Sequence, residues 1–157
     1  MRKLSLVFGL AALAAACGGE KKAADTPAAA PAAAPAASTP APATMGKTWD
    51  VDMNFDGKVG TFTPAEITIK PGDVVAFHNK TGFPHNVVFA ADSIPAGAAT
   101  VLDAAMADKV ASLTGPMMVD QDQVYTVSFA NAPVGVYNYH CLPHVEFKMH
   151  GKITVAQ

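Results

Sequence analysis

The chain is poor in cysteine. Its 157 residues hold two, Cys17 and Cys141, which leaves room for one disulfide at most. Charge is also sparse, at 15% of residues, with 11 basic against 13 acidic side chains and a net charge of −2. No basic cluster occurs, which argues against a nucleic acid partner. No long hydrophobic run occurs either. The apolar stretch at residues 4–16 is too short to span a bilayer and be left there. Large apolar groups are missing altogether from residues 23–44, which are nearly all Ala, Pro, Ser and Thr. What remains is enough for one modest domain with appendages.

The appendages come first. Arg2 and Lys3 precede the apolar run, so residues 1–16 read as an export signal. The run ends Leu13-Ala14-Ala15-Ala16-Cys17-Gly18-Gly19. This resembles a bacterial lipobox, in which the Cys after small residues becomes lipidated, although Ala14 stands where Leu is commonest. The resemblance makes Cys17 a lipid anchor and places the protein outside the cytoplasm, periplasmic or extracytoplasmic, tethered to a membrane. Plain cleavage after Ala14-Ala15-Ala16 is the alternative. Loss of Arg2 and Lys3 leaves 13 acidic against 9 basic residues, about −4. Residues 17–45 then hold the anchor and a linker. Pro27, Pro31, Pro35, Pro40 and Pro42 interrupt any long helix despite the alanine. Without a core to bury, the segment is expected to be disordered and extended. About twenty residues at roughly 3 Å each reach on the order of 60 Å.

The folded part is expected over residues 46–157. Trp49 to Met53 alternates apolar with polar, as a half-buried strand does. Asp50, Asp52, Asn54 and Asp56-Gly57 superficially resemble a calcium loop, but no distal Glu follows at the right spacing, and a strand and turn fit better. Residues 62–69 read as the next strand, residues 71–73 as a tight turn and residues 74–79 as another strand. A loop at residues 80–84 delivers His85. Residues 100–110 are the one helical candidate, with Val101, Leu102, Ala105, Met106 and Val110 on one face, Thr100 as cap and Asp103 in the first turn. Residues 123–129 alternate again. Tyr137, Tyr139 and Cys141 share a face by the two-residue period of a strand, which puts the thiol on the core side under aromatic rings. Ile153 and Val155 close a β-sandwich.

One stretch carries chemistry. Cys141-Leu142-Pro143-His144-Val145-Glu146-Phe147-Lys148-Met149 reads C-x2-H-x4-M, with His85 far upstream. One thiolate, two imidazoles and one thioether make the donor set of a blue-copper electron-transfer site, a trigonal His2Cys group with a weak axial Met. Cu(I) prefers soft sulfur and Cu(II) prefers nitrogen, so a compromise site changes charge with little movement. A buried free Cys beside a surface His and a core Met is the plain alternative.

Three segments resemble the plastocyanin family of small cupredoxins. They are Gly82-Phe83-Pro84-His85-Asn86-Val87-Val88-Phe89, Tyr137-Asn138-Tyr139-His140-Cys141-Leu142-Pro143-His144 and Met149-His150-Gly151-Lys152-Ile153-Thr154-Val155. The resemblance covers residues 46–157. It implies an all-β Greek-key sandwich with one short helix and one copper ion held by His85, Cys141, His144 and Met149. It implies that Asn86 ties the two ligand loops together. The function implied is not enzymatic: a monomer that carries single electrons between redox partners, such as a cytochrome or a membrane oxidoreductase. In the family the second histidine reaches the surface inside an apolar ring. Here Phe83, Pro84, Leu142 and Pro143 supply that ring, and Met117 and Met118 belong either to it or to the core. His140 points outward beside the copper thiolate, where the family usually has an exposed aromatic, and so is a candidate electron exit or a plain surface imidazole. A second copper there would need further histidines, and the sequence places neither His78 nor His150 beside it. Val145 to Lys148 is bulkier than the family's usual loop. No acidic patch for docking is present. Copper delivery or storage, and a single-domain copper reductase, are the competing functions.

Overall fold

The computed structural model of the chain describes residues 46–157. The expected export signal, the expected lipid anchor at Cys17 and the expected linker lie outside the described residues. Eight strands and one α-helix make up the domain. In chain order they are β1 (Thr48–Phe55), β2 (Gly60–Thr63), β3 (Glu66–Ile69), β4 (Val74–Asn79), β5 (Val88–Phe89), α1 (Ala98–Ala105), β6 (Val124–Ser128), β7 (Gly135–His140) and β8 (His150–Val155). They form two four-stranded sheets, ordered β2-β1-β4-β6 and β3-β8-β7-β5. β1 with β4 and β3 with β8 pair in parallel, and the remaining pairs are antiparallel. Neighbours in space are thus mostly not neighbours in sequence, as a Greek-key sandwich requires.

The alternation seen in the sequence is what fills the interior. Val51 and Met53 from β1, Val75 and Phe77 from β4, Val127 from β6, Tyr137 and Tyr139 from β7, and Ile153 and Val155 from β8 are all buried. Each contributes on the order of 1.5–3 kcal/mol by leaving water. The rings interlock edge to face. Tyr139 lies 4.7 Å from Phe62 and 5.4 Å from Phe77 between centroids, and Phe129 lies 5.4 Å from Tyr137 at 87°. Such geometry sets the positive ring edge against the negative face. This aromatic layer lies under the strand that leads to Cys141.

Two expectations need correction. Residues 62–69 are not one strand. The first half ends at Thr63 in one sheet, and Glu66 begins a strand of the other. Pro64 has no N–H to give a ladder, so pairing stops there and the chain crosses between sheets. The helix is also displaced. It runs Ala98–Ala105 rather than residues 100–110, with Gly97 at its N-cap position in place of Thr100. Asp103 is in the last turn, where its carboxylate accepts the Leu113 N–H at 2.7 Å and pairs with Lys109. The helix ends early because Met106 turns extended and bridges to Val127 of β6. Val110, expected on the apolar face, is 70% exposed.

Candidate metal centre

The site is assembled at one end of the sandwich from two loops. β7 brings Cys141 in on the core face, fully buried, as the shared face of Tyr137 and Tyr139 requires. Two short 3-10 turns follow over Leu142–Phe147, with the backbone kinked between them at His144 (φ −117°, ψ 20°). Lys148 takes a left-handed backbone (φ 57°) and reverses the chain. The loop is closed by its own hydrogen bonds. The Met149 N–H donates to the His144 carbonyl at 3.2 Å, and the Cys141 N–H donates to the Met149 carbonyl at 3.1 Å. The second loop, after β4, carries His85. Its backbone pairs both ways with Met118, at 2.9 and 2.8 Å. Asn79 folds that loop by donating to the Phe83 carbonyl and accepting the Gly82 N–H.

These constraints bring three donors together. The Cys141 Sγ lies 3.5 Å from His85 Nδ1 and 3.4 Å from His144 Nδ1. All three ligand atoms fall within 4.8 Å of one another, and all three residues are buried. Donors about 2.0–2.3 Å from a shared ion, spread at trigonal to tetrahedral angles, stand roughly 3.5 Å apart. The spacing therefore suits a metal, and the donor set of one soft sulfur and two imidazoles suits copper. His85 turns its other nitrogen to the Thr81 hydroxyl at 3.4 Å. Met149 is fully buried. It packs over Gly60, where a Cβ would sit 2.9 Å from the Met149 Cβ and 3.1 Å from its sulfur. Only glycine leaves room there for the thioether to settle.

The electrostatics agree with an ion in place of protons. Burial, aided by the neighbouring His144, lowers His85 to about 4. Burial lowers His144 as well. Both imidazoles are thus neutral at pH 7 and have lone pairs to donate. Burial pushes the Cys141 thiol up, and backbone N–H groups of Asn86 and His144 pull the other way. A metal cation removes that thiol proton outright.

Residues 49–156 match the family described as copper binding proteins, plastocyanin/azurin family. The chain belongs to that family. A plastocyanin of Synechococcus sp. (strain JA-2-3B'a(2-13)) is 40% identical over 75% of this chain and 78% of its own. A plastocyanin of Solanum tuberosum is 34% identical over 68% of this chain and 98% of its own. Among solved structures, the oxidised plastocyanin of Dryopteris crassirhizoma superposes with a TM-score of 0.52 at 27% identity, covering 69% of this chain and all of that one. As a plastocyanin/azurin domain the protein has one copper ion as its cofactor, and His85, Cys141 and His144 form the donor group that fits it.

The remaining expected residues fall around this centre. The Asn86 side chain accepts the Leu142 N–H at 2.9 Å and so joins the His85 loop to the Cys141 loop. Phe83, Pro84, Leu142 and Pro143 are exposed at the rim. The two methionines divide: Met117 is exposed and Met118 is core. Phe55 is what the sequence reading missed. Its ring stacks on His144 at 4.0 Å and 27°, with Phe83 at 5.2 Å and Phe147 at 5.0 Å around it. The signal was present, because Val51, Met53 and Phe55 continue one alternation, and β1 runs on past Met53. Asp56 forms a turn, accepting the Lys58 and Val59 N–H groups. His78 bonds Asp50 at 2.8 Å. His140 is half-buried, and the β7–β8 register sets His150 directly opposite it.

Proposed function

We propose that this domain is a type 1 copper electron carrier, exported and working between redox partners at or near a membrane. The observation that carries the reading is the buried Cys141 sulfur held between two imidazole Nδ1 atoms at 3.4 and 3.5 Å. When bound, the copper cycles between Cu(I) and Cu(II) and so takes or gives one electron. Every other part of the work falls to the protein. His85, Cys141 and His144 would hold the ion, and Met149 would offer a weaker fourth donor through its sulfur. Asn86 keeps the two loops in register, so neither imidazole drifts as charge changes. The aromatic layer beneath Cys141 excludes water and keeps reorganisation small.

Electrons would pass at the rim. Phe83, Leu142, Val145 and Phe147 are exposed apolar groups around buried His144. A small apolar patch suits brief docking and fast release, which a carrier needs. His140 offers a second exit, covalently next to Cys141. A lipid on Cys17 and the Ala/Pro linker would keep the domain near membrane-bound partners, such as a cytochrome or an oxidoreductase. Copper delivery would need donors open to exchange, and a reductase would need substrate access to the ion. The burial of all three donors favours neither.

The test is spectroscopic. Addition of Cu(II) to the apoprotein should give an intense visible band from thiolate-to-copper charge transfer at one copper per chain. Cys141→Ser should abolish that band and leave the circular dichroism of the β-sandwich unchanged. Weak Cu(II) bands alone in the wild-type protein would overturn the carrier reading in favour of delivery.

A further inference from the structure

The outer face of β7 and β8 holds two imidazoles that the buried centre does not use. His140 and His150 are register partners on adjacent antiparallel strands. Their ring centres lie 6.1 Å apart, tilted by 55°. Both line an open depression of about 400 Å³, together with Ala90, Ser93 and Asn138. Among the described residues neither ring takes part in a hydrogen bond or an ion pair, whereas His78 is bonded to Asp50. A pair of opposed, unpartnered imidazoles on an open sheet face does nothing for the core.

We propose that His140 and His150 form a second metal site, open to solvent, for a divalent transition cation such as Zn2+ or Cu2+. An ion bonded to one nitrogen of each ring sits about 3.2 Å from each ring centre, so rings up to roughly 6.4 Å apart can share it. The observed separation lies inside that reach. Small rotations of the half-exposed side chains bend the arrangement towards tetrahedral. Imidazole nitrogens suit Zn2+ and Cu2+, and the depression leaves space for waters to complete the coordination. Two strands fix the chelate, because the antiparallel register holds the paired Cα atoms about 5 Å apart.

The site is coupled to the first by the chain itself. His140 is bonded to Cys141, and His150 to Met149. An added dication on the outer face therefore stands one residue from two of the proposed copper ligands, and its field favours the lower charge on the buried ion. Occupancy raises the reduction potential of the carrier, and this consequence rests on the carrier reading above. The second site itself does not.

Zn2+ is the probe, since it is redox-inert and colourless. The Cu(II)-loaded protein is titrated with Zn2+ by isothermal titration calorimetry while the visible band is followed. One Zn2+ per chain should bind with the band retained, which shows that copper has not been displaced. His150→Gln, and separately His140→Gln, should weaken that binding at least tenfold, and the visible band should persist in His150→Gln. No heat of binding, or binding equally tight in both variants, would overturn the second site. Absence of the visible band before any Zn2+ is added would instead count against the carrier reading, and the Zn2+ titration of the same protein would still decide the site. A potential that rises on Zn2+ addition in the wild type and stays fixed in His150→Gln completes the proposal. A potential unmoved in both removes the coupling.

Discussion

At the scale of single residues, the centre depends on close fits, in which one residue leaves room for another. Met149 is the example. It is fully buried, and its sulfur has room only because Gly60 has no Cβ. A weak axial sulfur donates more to Cu(II) than a hydrocarbon can, so its loss disfavours the oxidised ion. Met149→Leu conserves volume and should keep the visible band. Each tenfold loss of Cu(II) affinity relative to Cu(I) raises a one-electron potential by about 59 mV. A rise of roughly one such step is expected in a potentiometric titration, and a fall would contradict an axial role. The donor types at Cys141, His144 and Met149 are legible in the C-x2-H-x4-M spacing, whereas His85 is singled out by the family resemblance of residues 82–89. Phe55 is not legible in either way, because nothing in a phenylalanine says which ring it will cover. It stacks on His144 because β1 carries the alternation of Val51 and Met53 on to Phe55 at the end of the sandwich where His144 arrives.

At the scale of elements, strand pairing decides what the motif cannot. β8 lies between β3 and β7, and its Gly151 faces Tyr139 across the β7 ladder. A Cβ on Gly151 would fall inside the Tyr139 ring. That ring is held by Phe62 and Phe77 and is 2% exposed, so it cannot swing away. Gly151→Ala should therefore cost about 1–3 kcal/mol through overpacking. For a domain of this size each kcal/mol lowers the melting temperature by about 4–8 °C, measured on the apoprotein by circular dichroism. An unchanged melting temperature would mean that the aromatic layer is not tightly packed. The same ladder places His150 beside His140. The sequence shows both histidines but cannot show the register, since residues ten apart meet only when the hairpin is closed. The helix was misplaced for a related reason. Its apolar spacing runs on to Val110, yet bridging to β6 claims Met106 first.

At the scale of the whole molecule, the sandwich buries imidazoles that an unfolded chain would protonate as pH falls below about 6.5. His85 titrates near 4 in the folded protein against about 6.5 when exposed. Between those values the unfolded state binds a proton that the native state refuses. Stability therefore rises with pH across that window and is lost as pH falls through it. The loss from His85 is of order 3 kcal/mol, and His144 and His140, also lowered by burial, act in the same direction. Urea unfolding of the apoprotein at pH 7 and at pH 4 should show this difference. His85→Gln should flatten the profile, and a profile that stays equally steep would show that other groups dominate.

The sequence alone determined the donor types, their spacing on one loop, the inward face of Tyr137, Tyr139 and Cys141, and hence the fold class. These follow from local rules: a period of two, turn chemistry and the affinities of sulfur and imidazole. Only the tertiary structure decided that His85 reaches within 3.5 Å of Cys141 across 56 residues of chain, that Phe55 covers His144, and that His150 stands opposite His140. Such contacts depend on which strands become neighbours, and that is settled by packing two sheets around one core.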